Sequence, residues 1–171
     1  MNFENMLRTI PDYPSKGIMY RDITTVLKDP VGLKGSINEM MAKLQGIEFD
    51  TIIGPESRGF IFGVPIAYNL NKGFVPARKP GKLPAEVVSK SYDLEYGTNT
   101  IEIHKDALYK GQKIVIVDDL LATGGTCKAV CELATEAGAE VVACVFLIEL
   151  GYLNGKKVLE QYGQVHSIVT Y

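Results

Sequence analysis

Two kinds of hydrophobic pattern alternate along this chain. Short unbroken apolar runs, the signature of strands buried on both faces, predict β-strands over 50–54, 113–119, 140–149 and 165–171. A further strand over 73–79, "GFVPARK", joins them. Between these runs, longer stretches with helical periodicity predict helices over 31–44, 57–70, 126–137 and 153–162. Asp29 and Pro30 fit the entry to the first of these, with Asp as N-cap and Pro in the first turn. The β-α-β-α alternation predicts an α/β fold: a single domain with a central, mostly parallel sheet and helices on both faces.

Two segments stand outside the alternation. Residues 1–28 precede the first long helix and contain "DYPSKGIMYRDITT". Residues 80–108 begin "PGKLPAEVV" and continue with β-prone residues around polar turns. Long excursions from an α/β sheet tend to serve function rather than the core. No internal repeat or linker divides the 171 residues, so one domain over 1–171 is expected.

Composition narrows the classes. With 46% hydrophobic and 22% charged residues, the chain has the make-up of an ordinary globular domain. A formal net charge of −2 gives no footprint for a duplex nucleic acid. No apolar run approaches the roughly 20 residues that span a bilayer, and the acid-bearing start lacks a signal-peptide core. A cytoplasmic protein with no membrane partner is expected. Cys127, Cys131 and Cys144 are odd in number and unevenly spaced, which argues against a disulfide framework. His104 and His166 are isolated in sequence, so the cysteines read as small buried residues rather than metal ligands.

The chemistry concentrates in "IVIVDDLLATGGT", residues 114–126. A buried strand ends in Asp118 and Asp119 and passes through Ala122, Thr123, Gly124, Gly125 and Thr126 into a helix. Ligands of open α/β sheets gather beyond the carboxyl ends of the strands. A glycine-rich turn at a helix N-terminus offers free N–H groups and the positive end of the helix dipole, which suit a phosphate. No Lys follows the glycines as in a Walker loop, and GxGxxG is absent. The two carboxylates would repel a phosphate but accept hydrogen bonds from ribose hydroxyls. The string therefore reads as a ribose-phosphate site.

That string resembles the phosphoribosyl-pyrophosphate-binding motif of type I phosphoribosyltransferases. Four further blocks, "YRDITTVLKDP", "ESRGFIFG", "RKPGKLP" and "YDLEYGTNTIEIHKDAL", are similar in content and order to the adenine phosphoribosyltransferases of that family. The resemblance implies transfer of a phosphoribosyl group to adenine in purine salvage, giving AMP and pyrophosphate, with Mg²⁺ held mainly by substrate oxygens and water. It also implies a homodimer, an N-terminal hood over 1–30 that reads the base, and a flexible catalytic loop within 80–108. By the same resemblance, Asp118 and Asp119 take the ribose, and residues 122–126 take the 5′-phosphate. Glu56, Ser57, Arg58, Arg78, Lys79 and Lys82 face the pyrophosphate, with a cis peptide joining Glu56 and Ser57. Glu95 assists proton movement at the purine, Tyr96 closes with it, and Arg58 stabilises the leaving group. Met19, Tyr20 and Arg21, with Leu120 and Leu150, contact the base. Two alternatives stay open at this level: an enzyme for a 6-oxopurine such as xanthine or hypoxanthine, and a non-catalytic regulator that senses phosphoribosyl pyrophosphate.

Overall fold

A computed structural model describes residues 2–93 and 97–171. Its centre is a five-stranded, wholly parallel sheet in the order β4-β3-β7-β8-β9. The strands are β3 (Thr51–Pro55), β4 (Gly73–Ala77), β7 (Lys113–Leu121), β8 (Glu140–Glu149) and β9 (Gln164–Thr170). β3, β7 and β8 are the continuous apolar runs, and their interior residues are almost wholly buried. Such strands need cover on both faces. One face receives α2 (Pro30–Ala42) and α3 (Arg58–Asn69), packed through Met40, Phe62 and Ile66 onto Ile52, Val115 and Val145. The other receives α4 (Gly125–Glu136) and α5 (Gly155–Leu159), packed through Val130, Leu133 and Leu159 onto Ile116, Cys144 and Phe146. The predicted α/β layering is the observed one.

The two excursions form small antiparallel hairpins. In the first, β1 (Arg8–Pro11) pairs with β2 (Met19–Asp22) and leads into the short helix α1 (Thr24–Leu27). Asp22 anchors this turn: it accepts from the Thr24 N–H and hydroxyl and from the Arg8 guanidinium. In the second, β5 (Val87–Asp93) pairs with β6 (Thr98–His104). This hairpin lies along α4, where Lys90 meets Glu136 at 2.5 Å and Glu132 at 3.5 Å.

Most predicted boundaries hold within two residues, and one does not. The helix expected over 153–162 is a 3₁₀ turn (Gly151–Leu153) followed by the five-residue α5. Asn154 between them is left-handed, with φ +56° and ψ +24°, and an α-helix cannot run through such a residue. Among the described residues, no helix is long and apolar enough to cross a membrane.

The strand order positions the site. From β3 the chain moves outward through α3 to β4; from β7 it moves the other way through α4 to β8 and β9. The reversal falls between β3 and β7, and a crevice opens beyond their carboxyl ends. The α3 contact to the sheet rests on Phe62, fully buried against that face. Phe62→Ala is expected to cost about 3–5 kcal/mol of unfolding free energy, measured by urea denaturation. A loss below about 1 kcal/mol would show that the face collapses onto the vacated space.

Candidate active site

β3 and β7 end side by side and each hands the chain to a helix. After Pro55 the Glu56–Ser57 peptide is cis, and α3 starts at Arg58. After Leu121 the chain turns through 122–124 and α4 starts at Gly125. Neither helix has a side-chain cap, whereas α2 is capped by Asp29, which accepts from the Val31 N–H. Two uncapped helix N-termini thus open on one cavity of about 510 Å³. Free first-turn N–H groups and two converging dipoles make it a natural anion site.

The turn at 122–126 is shaped from behind. Gly124 has φ +85°, a conformation glycine adopts without strain. Behind it lies Gly155, the first residue of α5: a Cβ there would stand 2.2 Å from the Ala122 carbonyl oxygen and 3.0 Å from the Gly124 nitrogen. In front, the Thr126 hydroxyl donates to the Tyr92 hydroxyl at 3.1 Å. The turn is clamped between the C-terminal segment and the β5–β6 hairpin.

Opposite the turn, Arg58 organises the charges. Its Nε lies 2.7 Å from Asp119 Oδ2, and one terminal nitrogen donates to the Tyr20 hydroxyl at 2.9 Å. The hood, α3 and β7 meet at this guanidinium. Burial works against its charge, but Asp119, Tyr20 and Asp118 outweigh burial and push its pKa further up. Burial and the adjoining Asp119 carboxylate push Asp118 well above the usual carboxylate range, while an Asp119 N–H bond to Asp118 Oδ1 at 2.9 Å pulls the other way. Asp119 is also raised by burial, against the opposing pull of Arg58.

The remaining predicted residues divide. Glu56, Ser57, Arg58, Lys79, Asp118, Asp119 and Leu120 all line the cavity, as do residues 122–126. Arg78 and Lys82 do not. Arg78 instead grips Glu56, with Nε and a terminal nitrogen both 3.0 Å from Oε2, while the Lys79 N–H donates to Oε1 at 2.8 Å. Burial raises the Glu56 carboxyl, but these contacts outweigh it and hold its pKa below the ordinary value. Tyr20 sits edge-on to Tyr13, with ring centroids 5.1 Å apart, and Met19 is exposed beside it. Arg21 turns away: its guanidinium stacks 3.6 Å from the centre of the Tyr171 ring. Leu150 packs into the core beside β9 rather than lining the cavity. Glu95 and Tyr96 lie outside the described residues.

The cavity also takes Tyr92, Asn99 and Ile101, which the sequence reading did not single out. Tyr92 and Asn99 are paired across the hairpin. Alternation along the two strands was the available signal, since Asn99 and Ile101 share one face.

These features are those of a phosphoribosyltransferase, and the comparisons agree. Residues 25–167 match the phosphoribosyl transferase domain, so the chain belongs to that family. The adenine phosphoribosyltransferase of Agathobacter rectalis is 60% identical over 168 residues, covering 98% of this chain and 96% of that one. The crystal structure of adenine phosphoribosyltransferase from Thermoanaerobacter pseudethanolicus superposes with a TM-score of 0.95 at 52% identity, covering 99% and 98% of the two chains. The enzyme from Giardia lamblia, solved with 9-deazaadenine, superposes with a TM-score of 0.92 at 35% identity, covering 98% and 95%.

Two predictions follow from this geometry. A carboxyl whose pKa is higher in the folded than in the unfolded chain contributes stability below its unfolded value and loses it as pH rises through the folded one. The raised Asp118 pKa therefore lowers stability as pH climbs above the range of a free Asp, and Asp118→Asn is expected to melt higher than the wild type at about pH 7–8 but not near pH 3. A variant melting lower at pH 7–8 would contradict the raised pKa. Gly155→Ala is expected to weaken ribose 5-phosphate binding roughly tenfold or more, the 1–3 kcal/mol of an overpacked contact expressed as affinity. Calorimetry showing unchanged affinity would free the turn from its backing.

Proposed function

We propose that the protein joins adenine to phosphoribosyl pyrophosphate, releasing AMP and pyrophosphate in purine salvage, with the cytoplasm as its setting. The observation that carries this reading is the junction where Asp118, Asp119 and Arg58 face the 122–126 turn and two uncapped helix starts open on one cavity, in a chain 60% identical to an adenine phosphoribosyltransferase. In the reaction a purine N9 bonds to the anomeric carbon, the carbon–oxygen bond to pyrophosphate breaks, and the base loses its proton. The barrier lies in positive charge growing on the sugar and negative charge on the leaving group, so positioning and electrostatics supply most of the catalysis.

The roles follow from placement. The N–H groups and hydroxyls of 123–126 hold the 5′-phosphate, and Asp118 and Asp119 accept from the ribose hydroxyls. Positive charge growing at the anomeric carbon is favoured by the same two carboxylates. Arg58, Lys79 and the N-terminus of α3 receive the pyrophosphate. Glu56 acts through Arg78 and the Lys79 N–H, setting the backbone that presents Lys79. Leu120, in the cavity wall, and Tyr20, tied to Arg58 beside it, border the base, while Arg21, spent on Tyr171, offers only its backbone. Glu95 remains the proposed acid-base group at the purine, with Tyr96 beside it.

Magnesium fits as an ion carried by the substrate. Among the described residues no cation forms an ion pair with Asp118, and no third carboxylate or imidazole joins Asp118 and Asp119 into a cage. Two carboxylates beside phosphate oxygens are a usual Mg²⁺ environment, and the ion would neutralise charge on the pyrophosphate. A homodimer is supported by α3, where Ile61, Val64 and Tyr68 present an exposed apolar stripe at helical spacing.

Purified protein given phosphoribosyl pyrophosphate, Mg²⁺ and each purine base should form AMP from adenine and little product from hypoxanthine or xanthine. Product from oxopurines alone would overturn the reading, as would tight substrate binding without turnover. Asp119→Ala should raise KM for phosphoribosyl pyrophosphate, and an unchanged KM would remove the ribose role. Glu95→Gln should lower kcat about 10²-fold with little change in KM, the signature of proton transfer rather than binding.

A further inference from the structure

Three cysteines from two elements of the fold share one point in space. Cys127 and Cys131 lie four apart on α4, hence on one face of the helix. Cys144 on β8 rises from the sheet beneath them. All three are free and buried. Their sulfurs lie within 4.8 Å of one another, with Cys127 and Cys144 at 3.7 Å. Among the described residues this is the one group of three potential metal donors.

The spacing matches a definite coordination geometry. Three sulfurs bound at about 2.3 Å to one centre stand about 3.4 Å apart in a pyramid and 4.0 Å apart in a plane. Among the described residues no fourth donor joins them: the ring of His166 belongs to β9, whose register places it beside Val145, on the sheet face opposite Cys144. The site is therefore three-coordinate and soft.

Charge selects the occupant. Three thiolates around a monovalent ion leave a net charge of about −2, and around a divalent ion about −1, in a pocket walled by Ile116, Val130 and Phe146. A trivalent centre leaves none. We propose that Cys127, Cys131 and Cys144 form a binding site for trivalent, thiophilic metalloids of the arsenite class. The reaction balances without an oxidant: arsenous acid and three thiols give a tris-thiolate and three waters. Each S–H proton leaves with one hydroxyl, three As–O bonds break, three As–S bonds form, and no element changes oxidation state. Entry is through the substrate cavity, whose wall includes Cys127, the residue after Thr126 in the phosphate turn.

The test uses the full chain kept reduced with a phosphine and loaded with sodium arsenite. After gel filtration, arsenic per chain is counted by mass spectrometry and its neighbours by X-ray absorption. One arsenic per chain with three sulfur neighbours is expected. Two sulfur neighbours, or no retained arsenic, would overturn the site. Cys131→Ala and Cys144→Ala lie outside the cavity lining and should keep AMP formation while losing arsenite affinity by more than about thirtyfold, some 2 kcal/mol. A loss under threefold in both would also overturn it. Zinc and monovalent copper are run in parallel, and either binding more tightly than arsenite would refute the charge argument. The wild-type absorption spectrum decides the coordination even if a variant folds poorly.

Discussion

The guanidinium of Arg58 is the tie on which the site depends. It is the first residue of α3, its Nε lies 2.7 Å from Asp119 at the end of β7, and it donates at 2.9 Å to Tyr20 of the hood. Three elements that share no backbone hydrogen bonds at this end of the sheet are thereby held at fixed separation. An arginine suits the task because its planar fork makes several bonds in set directions without losing its charge. Removing Arg58 would leave a carboxylate buried beside another carboxylate, a costly arrangement. The same guanidinium then keeps edges free for a polyanion, so structural and binding roles coincide in one side chain.

The acid pair shows the opposite compromise. Asp118 and Asp119 sit near the end of a central, largely buried strand, where desolvation acts against both charges and the Asp119 carboxylate acts against that of Asp118. Apart from the Asp119 bond to Arg58, the folded chain gains nothing from this arrangement. Binding does, because a ligand hydroxyl meets acceptors already stripped of water and fixed in direction. Strain placed at a functional site is offset by the sheet core on either side.

The parts legible in the sequence were local. β7, its two acids and the glycine turn lie within 114–126, so a short string carries both the structure and its chemistry. The cis peptide at Glu56–Ser57 and the layering of the sheet were also as expected. What stayed hidden depends on contacts between distant residues. Tyr92 reaches Thr126 across 34 positions, and Gly155 backs Ala122 from another strand crossover. Arg78 looked like a free cation until the fold placed Glu56 against it, 22 positions earlier. Asn154 splits the expected helix through a left-handed backbone that apolar periodicity does not register. The cysteine trio is the sharpest case: two members are a visible i, i+4 pair, but the third arrives only when α4 is laid on β8.

The two supports of the phosphate turn differ in kind. On the Gly155 side the backing is backbone against backbone, at van der Waals contact, and dissolved ions leave it unchanged. On the hairpin side, Val88, Tyr92, Ile101 and Ile103 pack against α4, and Lys90 with its two glutamates adds an ion-pair fastening at the surface. Such pairs weaken as salt shortens the screening length to about 8 Å at physiological strength and 3 Å at 1 M. Ionic strength is therefore a selective handle on this molecule: it weakens the ion-pair part of the hairpin's fastening and leaves the Gly155 backing as it is.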